Sequence, residues 1–241
     1  MKLNLFLYRL ENKFRRFAIE KLMQIITVCM LIVFGADMLL RLYADNPNLS
    51  INGYLSFNLA LIMKGQVWRV LSFIIEYPDA SNILLTLISI YFFYWVGSSL
   101  ENYWGKARFN LYYIFGIVGT IIFGFILYFI TKLAGFPEFG SIGNAYLNLS
   151  LFLAFATIFP NEKVYIFFVI PIKVKWLGII DGLALTFMFI FGGWAIRVAI
   201  LAAFANYLLF CGYDLIKNIK RAVAEYKWRK NNRGNGPSNF Y

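Results

Sequence analysis

The chain contains no histidine among its 241 residues, and only two cysteines, Cys29 and Cys211. Without imidazole it has no side chain whose ordinary pKa suits it to take a proton from an alcohol near neutral pH. Histidine-assisted serine chemistry is therefore excluded at the outset. A zinc hydrolase loses its usual ligands for the same reason, and neither a metal nor another cofactor is expected. Both cysteines lie inside apolar runs, which argues against a structural disulfide. Acids are also scarce, 12 Asp and Glu against 23 Lys and Arg, leaving a formal charge of +11. In a soluble protein that excess would point to nucleic acid. Here the basic residues flank the apolar runs, so an anionic membrane surface accounts for them, and the expected partners are lipids rather than nucleic acid.

What the chain does have is apolar length. Hydrophobic residues make up 61% and aromatics 20%, only 15% are charged, and the mean hydropathy is +0.65. A water-soluble domain of this size has too much surface to hide that composition, so lipid is the expected solvent. A hydrocarbon core of about 30 Å needs about 20 apolar residues in helix. Six runs meet or approach that length, at residues 22–43, 82–98, 109–131, 143–160, 176–192 and 196–216. The last two are separated only by the turn signal Gly192-Gly193-Trp194. Six basic residues precede the first run, two follow the second, three the fourth and seven the sixth, against five on the opposite face. The positive-inside rule then sets both termini in the cytoplasm.

The chain divides into a basic N-terminal segment (1–21), a six-helix membrane domain (22–216) and a basic tail (217–241). The connection from 44 to 81 is the longest and is expected to lie in the interface, helical and half immersed. The stretch from Val164 to Trp176, broken by Pro171 and two lysines, reads as an interfacial lead-in to the fifth span. Residues 231–241, rich in Asn, Gly and Ser, have no apolar face and are expected to be disordered. Asp37 stands four residues before Arg41, the spacing of a pair on one helix face. Gly116, Gly119 and Gly124 suggest close helix packing in the third span.

Three fragments, in order, resemble the rhomboid and Derlin superfamily. Gln66-Val67-Trp68-Arg69-Val70-Leu71-Ser72-Phe73 is similar to that family's Trp-Arg motif in its first external loop. Val96-Gly97-Ser98-Ser99-Leu100-Glu101-Asn102-Tyr103-Trp104-Gly105-Lys106-Ala107-Arg108-Phe109 resembles its Gly-x-x-Leu-Glu-x-x-x-Gly-x-x-Arg-Phe junction. Phe159-Pro160-Asn161, leading through Phe167 to Leu177, is the third. The resemblance implies an all-α polytopic fold, a six-helix rhomboid-like bundle with a long interfacial loop between the first two spans. It also implies where catalytic groups would stand. The family's Gly-x-Ser-Gly turn falls on Gly143-Asn144-Ala145-Tyr146, so the nucleophile's position is Ala145; the base's position is Ile200; the oxyanion-site positions are Leu85 and Ser89. None can do the chemistry, and the resemblance is to a catalytically inactive member, a pseudoprotease.

Each motif residue also has an ordinary reading. Trp68 and Arg69 suit interface anchors as well as a client-contacting loop. Glu101 and Arg108 are placed to pair across a cytoplasmic turn. Asn206 suits an interhelical hydrogen bond. The favoured expectation is a non-proteolytic membrane protein that binds or chaperones other membrane proteins in quality control, aided by local thinning of the bilayer beside the second, fourth and fifth runs, each about 17 residues long. One alternative is a residual protease using the carboxylates Asp181 and Asp214. Another is a small transporter or channel, with Asn144, Asn148 and Asn206 lining a polar cavity. Compact loops and a simple core point to a bacterial plasma membrane. The client and the oligomeric state are not written in the sequence.

Overall fold

A computed structural model describes residues 2–43, 50–78, 82–135, 143–166 and 170–232. The chain is helical almost throughout. An amphipathic helix, α1 (Lys2–Phe14), turns Leu7, Leu10 and Phe14 onto one face and packs it against α7. The first long helix, α2 (Leu22–Tyr43), coincides with the first apolar run. The connection that follows folds into α3 (Ile51–Leu55), α4 (Leu59–Met63), α5 (Arg69–Ser72) and a 3-10 turn at Phe73–Ile75. Then come α6 (Ile83–Trp104), α7 (Lys106–Ala134), α8 (Ala145–Ile158), the strands β1 (Lys163–Ile166) and β2 (Ile170–Lys173), α9 (Val174–Phe191) and α10 (Trp194–Asn232).

Five of these helices, α2, α6, α7, α9 and α10, are long and apolar enough to cross a membrane, and α8 is a shorter apolar helix. The chain is thus an all-α integral membrane protein. The helix ends follow local chemistry. Asn82 caps α6 by accepting the Leu84 N–H at 2.8 Å. Gly105, at φ +79°, lets the chain leave α6 and enter α7 with one residue between them.

The short helix sits in the middle. α8 packs against α6, α9 and α10, and buries Leu147, Asn148, Ser150, Leu151, Phe152, Ala154 and Phe155. α10 packs along both α7 and α8, and α2 lies against α6. Aromatic rings fill the seams: Trp95 meets Phe155 edge-on at 4.9 Å, and Tyr112 meets Phe210 at 5.3 Å. Close approach of α7 to its neighbours rests on two glycines. A Cβ at Gly116 would lie 2.2 Å from Leu147 Cδ1, and one at Gly124 2.7 Å from Phe57. Gly119, expected to serve likewise, has nothing within 4 Å.

The structure corrects the length of the second span and the start of the expected disorder, and details the segments between. The second span is 22 residues, since α6 runs on through Trp104, and only α8 and α9, at 14 and 18, are short. The stretch expected as an interfacial lead-in is an antiparallel hairpin pairing Lys163 with Lys173 and Val164 with Ile172, and it delivers the chain directly into α9. The expected domain boundary at 216/217 falls inside α10, which continues unbroken to Asn232. Asn231 and Asn232 are therefore helical, while 233–241 lie outside the described residues.

Candidate functional site

The long connection between α2 and α6 is tied down by buried polar groups rather than lying loosely on the surface. Asp37, fully buried in α2, pairs with Arg41 at 3.2 Å as its spacing predicts. It also accepts from Ser50 Oγ (3.0 Å), from the Ile51 N–H at the start of α3 (2.6 Å) and from the Tyr77 hydroxyl. One carboxylate thereby joins both ends of the loop to the span, and the α3 amides meet negative charge. Asn52 completes the closure: its Nδ2 donates to the Tyr77 carbonyl at 3.0 Å and its Oδ1 accepts the Tyr77 N–H at 3.1 Å.

Arg69 belongs to this internal scaffold. It is 3% exposed, and its Nη1 donates to the carbonyls of Gly53 and Ser56, both at 2.9 Å, while Nε donates to Gln66 Oε1 at 2.7 Å. Of the two readings of Arg69, these bonds give it the structural one: it holds the loop together from inside. Trp68 differs: its ring is half exposed, and Nε1 donates to the Tyr54 carbonyl at 3.3 Å. With Val67 and Leu71, also exposed, it gives the loop an apolar outer face. The inner face packs Phe57, Leu59, Ile62 and Phe73 with Ala199 of α10 and with Tyr146.

The loop's inner end meets the start of α8. Asn144 Nδ2 donates to the Glu76 carbonyl at 2.5 Å, and the Glu76 carboxylate packs closely on Gly143, 3.1 Å from where a Cβ would stand. Burial pushes the Glu76 carboxyl up to about 7, against the opposing influence of the Asn144 backbone N–H and the Arg69 guanidinium, and Oε2 has no hydrogen-bond partner. Neither residue was identified as a pair from sequence; the only signal was a lone acid in the apolar run Phe73-Ile74-Ile75-Glu76-Tyr77.

Ala145, at the position matching the nucleophile, is the first residue of α8 and is exposed. Ile200, matching the base, is buried in α10. Thr86 on α6 is buried, whereas Leu85, the expected oxyanion-site position, is 40% exposed and points away from the core; Ser89 is half-buried. Inside the bundle, Asn148 Nδ2 donates to Asn144 Oδ1 at 3.3 Å, and the Asn148 Oδ1 atom is buried without a partner. Asn206 donates to the Tyr112 carbonyl at 3.1 Å across the α7–α10 seam. At 5% exposure it makes the interhelical bond foreseen.

The expected Glu101–Arg108 pairing is replaced by two others. Glu101 is buried and accepts the N–H groups of Leu22 (3.0 Å) and Met23 (3.3 Å), capping the start of α2 from across the bundle. Arg108 lies 3.6 Å from Glu11 of α1, donates to the Phe210 carbonyl at 3.1 Å and stacks on Trp104. Of the two carboxylates of the alternative reading, Asp214 shares a cavity with Glu11 and Arg108, while Asp181, in the second turn of α9, has an Oδ2 without a partner. Among the described residues no cluster of His, Cys, Asp and Glu could hold a metal.

The model of a protein family described as "Eukaryotic integral membrane protein (DUF1751)" matches residues 23–213. The match starts in α2 and ends in α10, so it takes in every apolar helix described above. No curated protein and no solved structure matched. A eukaryotic family overturns the expectation of a bacterial plasma membrane, which rested only on compact loops and a simple core; neither feature is peculiar to bacteria.

Proposed function

The chain belongs to the DUF1751 family of eukaryotic integral membrane proteins, and we propose that it is a non-proteolytic, rhomboid- and Derlin-like member that binds the membrane helices of other proteins. The observation that carries the reading is α8. This central helix has 14 residues, about 21 Å of rise against a hydrocarbon core of about 30 Å. It also carries buried Asn148 and Ser150, and its N-terminus stands beside Asn144 and Glu76. An apolar helix too short to span, with Asn148 and Ser150 buried along it, draws lipid headgroups and water inward and thins the adjacent bilayer. Thinning lowers the cost of exposing polar residues on an imperfectly packed client helix.

The neighbouring helix supplies a surface for such a client. α9 buries only Val174 and Leu185, and presents Ile179, Ile180, Leu183, Phe187 and Phe191 outward. With Trp68 on the loop, this outward apolar face is where clients are held. Proteolysis has no part in the proposal, because no histidine exists and the positions matching the family's dyad are Ala145 and Ile200.

Photo-crosslinkers placed at Trp68 and Leu183 test this in native membranes. The expected result is adducts to other membrane proteins from both positions and none from a control at buried Leu151. Recovery of lipid adducts alone would overturn the proposal.

A further inference from the structure

Where the start of α2 meets the end of α6, beside Glu101, lies a polar cavity of about 500 Å³. Its lining includes Glu20, Lys21, Tyr94, Ser98, Asn102 and Lys106. A second, apolar hollow of about 260 Å³ runs between the same two helices, lined by Thr27, Val28, Leu31, Leu87, Ile90 and Tyr91. The two share Gln24 and Tyr94 in their linings, so a polar head and an apolar stem adjoin along the α2–α6 seam. From Gln24 to Leu31 the stem runs about 10 Å along α2. Its floor is closed by buried Ile90 and Thr27, and its rims, Val28, Leu31 and Tyr91, are exposed. The groove therefore opens sideways into the bilayer.

The head is open to solvent and electrically balanced. Glu101 is committed to the first amides of α2, and Lys106 pairs with Glu20 at 2.5 Å. Lys21 is the remaining cation, and it is held at φ +56°, the only non-glycine residue with positive φ among the described residues. A lysine adopts that backbone at a cost, which an ordinary surface turn would avoid with Gly or Asn.

We propose that this groove is a binding site for a single glycerophospholipid with a primary-ammonium zwitterionic headgroup. The phosphate diester sits on the Lys21 ammonium and the polar donors Ser98 and Asn102; the headgroup ammonium donates to Glu20, whose partner Lys106 shifts toward the phosphate; one acyl chain enters the stem. A lining whose two lysines, Lys21 and Lys106, are balanced by two carboxylates, Glu20 and Glu101, matches a headgroup bearing both charges better than one bearing net charge. The lipid would rivet α2 to α6.

The full chain, purified in mild detergent and examined by native mass spectrometry with phosphatidylethanolamine, phosphatidylcholine and phosphatidylserine, tests the assignment. One phosphatidylethanolamine is expected to be retained about tenfold more tightly than either competitor. Lys21→Asn, which keeps the left-handed backbone and removes the charge, should lower that retention about tenfold, the size expected for one charge-assisted hydrogen bond. Leu87→Trp, which fills the stem from a lipid-facing position, should lower it without altering the headgroup order. Equal retention of the three lipids, a preference for phosphatidylserine, or full retention in both variants would overturn the site.

Discussion

Asn144, at the threshold of α8, holds Glu76 by its main chain: the amide nitrogen is 2.5 Å from the Glu76 carbonyl, while the Glu76 carboxylate lies against Gly143. The α2–α6 connection is thereby latched to the central helix at a point where a buried acid has lost part of its hydration.

That acid makes the latch sensitive to pH. Its carboxyl is raised from the ordinary 4.5 to about 7, so between those values the folded chain holds a proton that the unfolded chain has released. The contribution is most favourable below pH 4.5 and is lost as pH rises to 7, in total about 3 kcal/mol at most. Thermal unfolding in detergent should therefore show a stability that declines from pH 5 to pH 7, and Glu76→Gln should flatten the decline. An unchanged slope in that variant would place the titration elsewhere.

Glu101 is expected to matter far more than its salt-bridge appearance in the sequence suggests. Glu101→Ala leaves the Leu22 and Met23 amides without acceptors in a buried setting, at about 2 kcal/mol. Glu11→Ala, which breaks only the partly exposed 3.6 Å pair with Arg108, should cost under about 1 kcal/mol. Chemical denaturation of the two variants side by side checks the order.

The glycines of α7 should separate in the same assay. Gly116→Ala forces a methyl into Leu147 and toward Asn206 Nδ2, a crowding of about 1–3 kcal/mol. Gly119→Ala meets open space in the middle of a helix and should be neutral or stabilising by up to about 1 kcal/mol.

The membrane helices were legible in the sequence because lipid imposes a length. α2 matches its apolar run at both ends, and the turn Gly192-Gly193 does separate α9 from α10. Hydropathy fails where helix and lipid part company. α6 and α10 run past their apolar stretches because helix propensity does not stop at the headgroups, as the Lys- and Arg-rich end of α10 illustrates. The hairpin was hidden by Pro171 and the flanking lysines, which read as interruption although Lys163 and Lys173 end up as a pair.

The site was legible only in outline. Asp37–Arg41 was found because the i, i+4 spacing fixes the partner, whereas for Asn206 only an interhelical bond was legible and not its partner, the Tyr112 carbonyl. The partner of Glu101 is 79 residues away at Leu22, and the near neighbour Arg108 was the wrong choice. Arg69 looked like a surface anchor because nothing in its sequence context announces that three loop groups will surround it.

Cleavage by the purified chain is the most direct measurement of the central claim, that this scaffold carries no group able to activate a serine. The protein is reconstituted in liposomes with a fluorogenic transmembrane substrate, beside an Asp181→Asn, Asp214→Asn double variant. No peptide-bond hydrolysis above protein-free liposomes is predicted for either. Hydrolysis by the native chain that disappears in the double variant would contradict the account and establish the carboxylates as its catalytic pair.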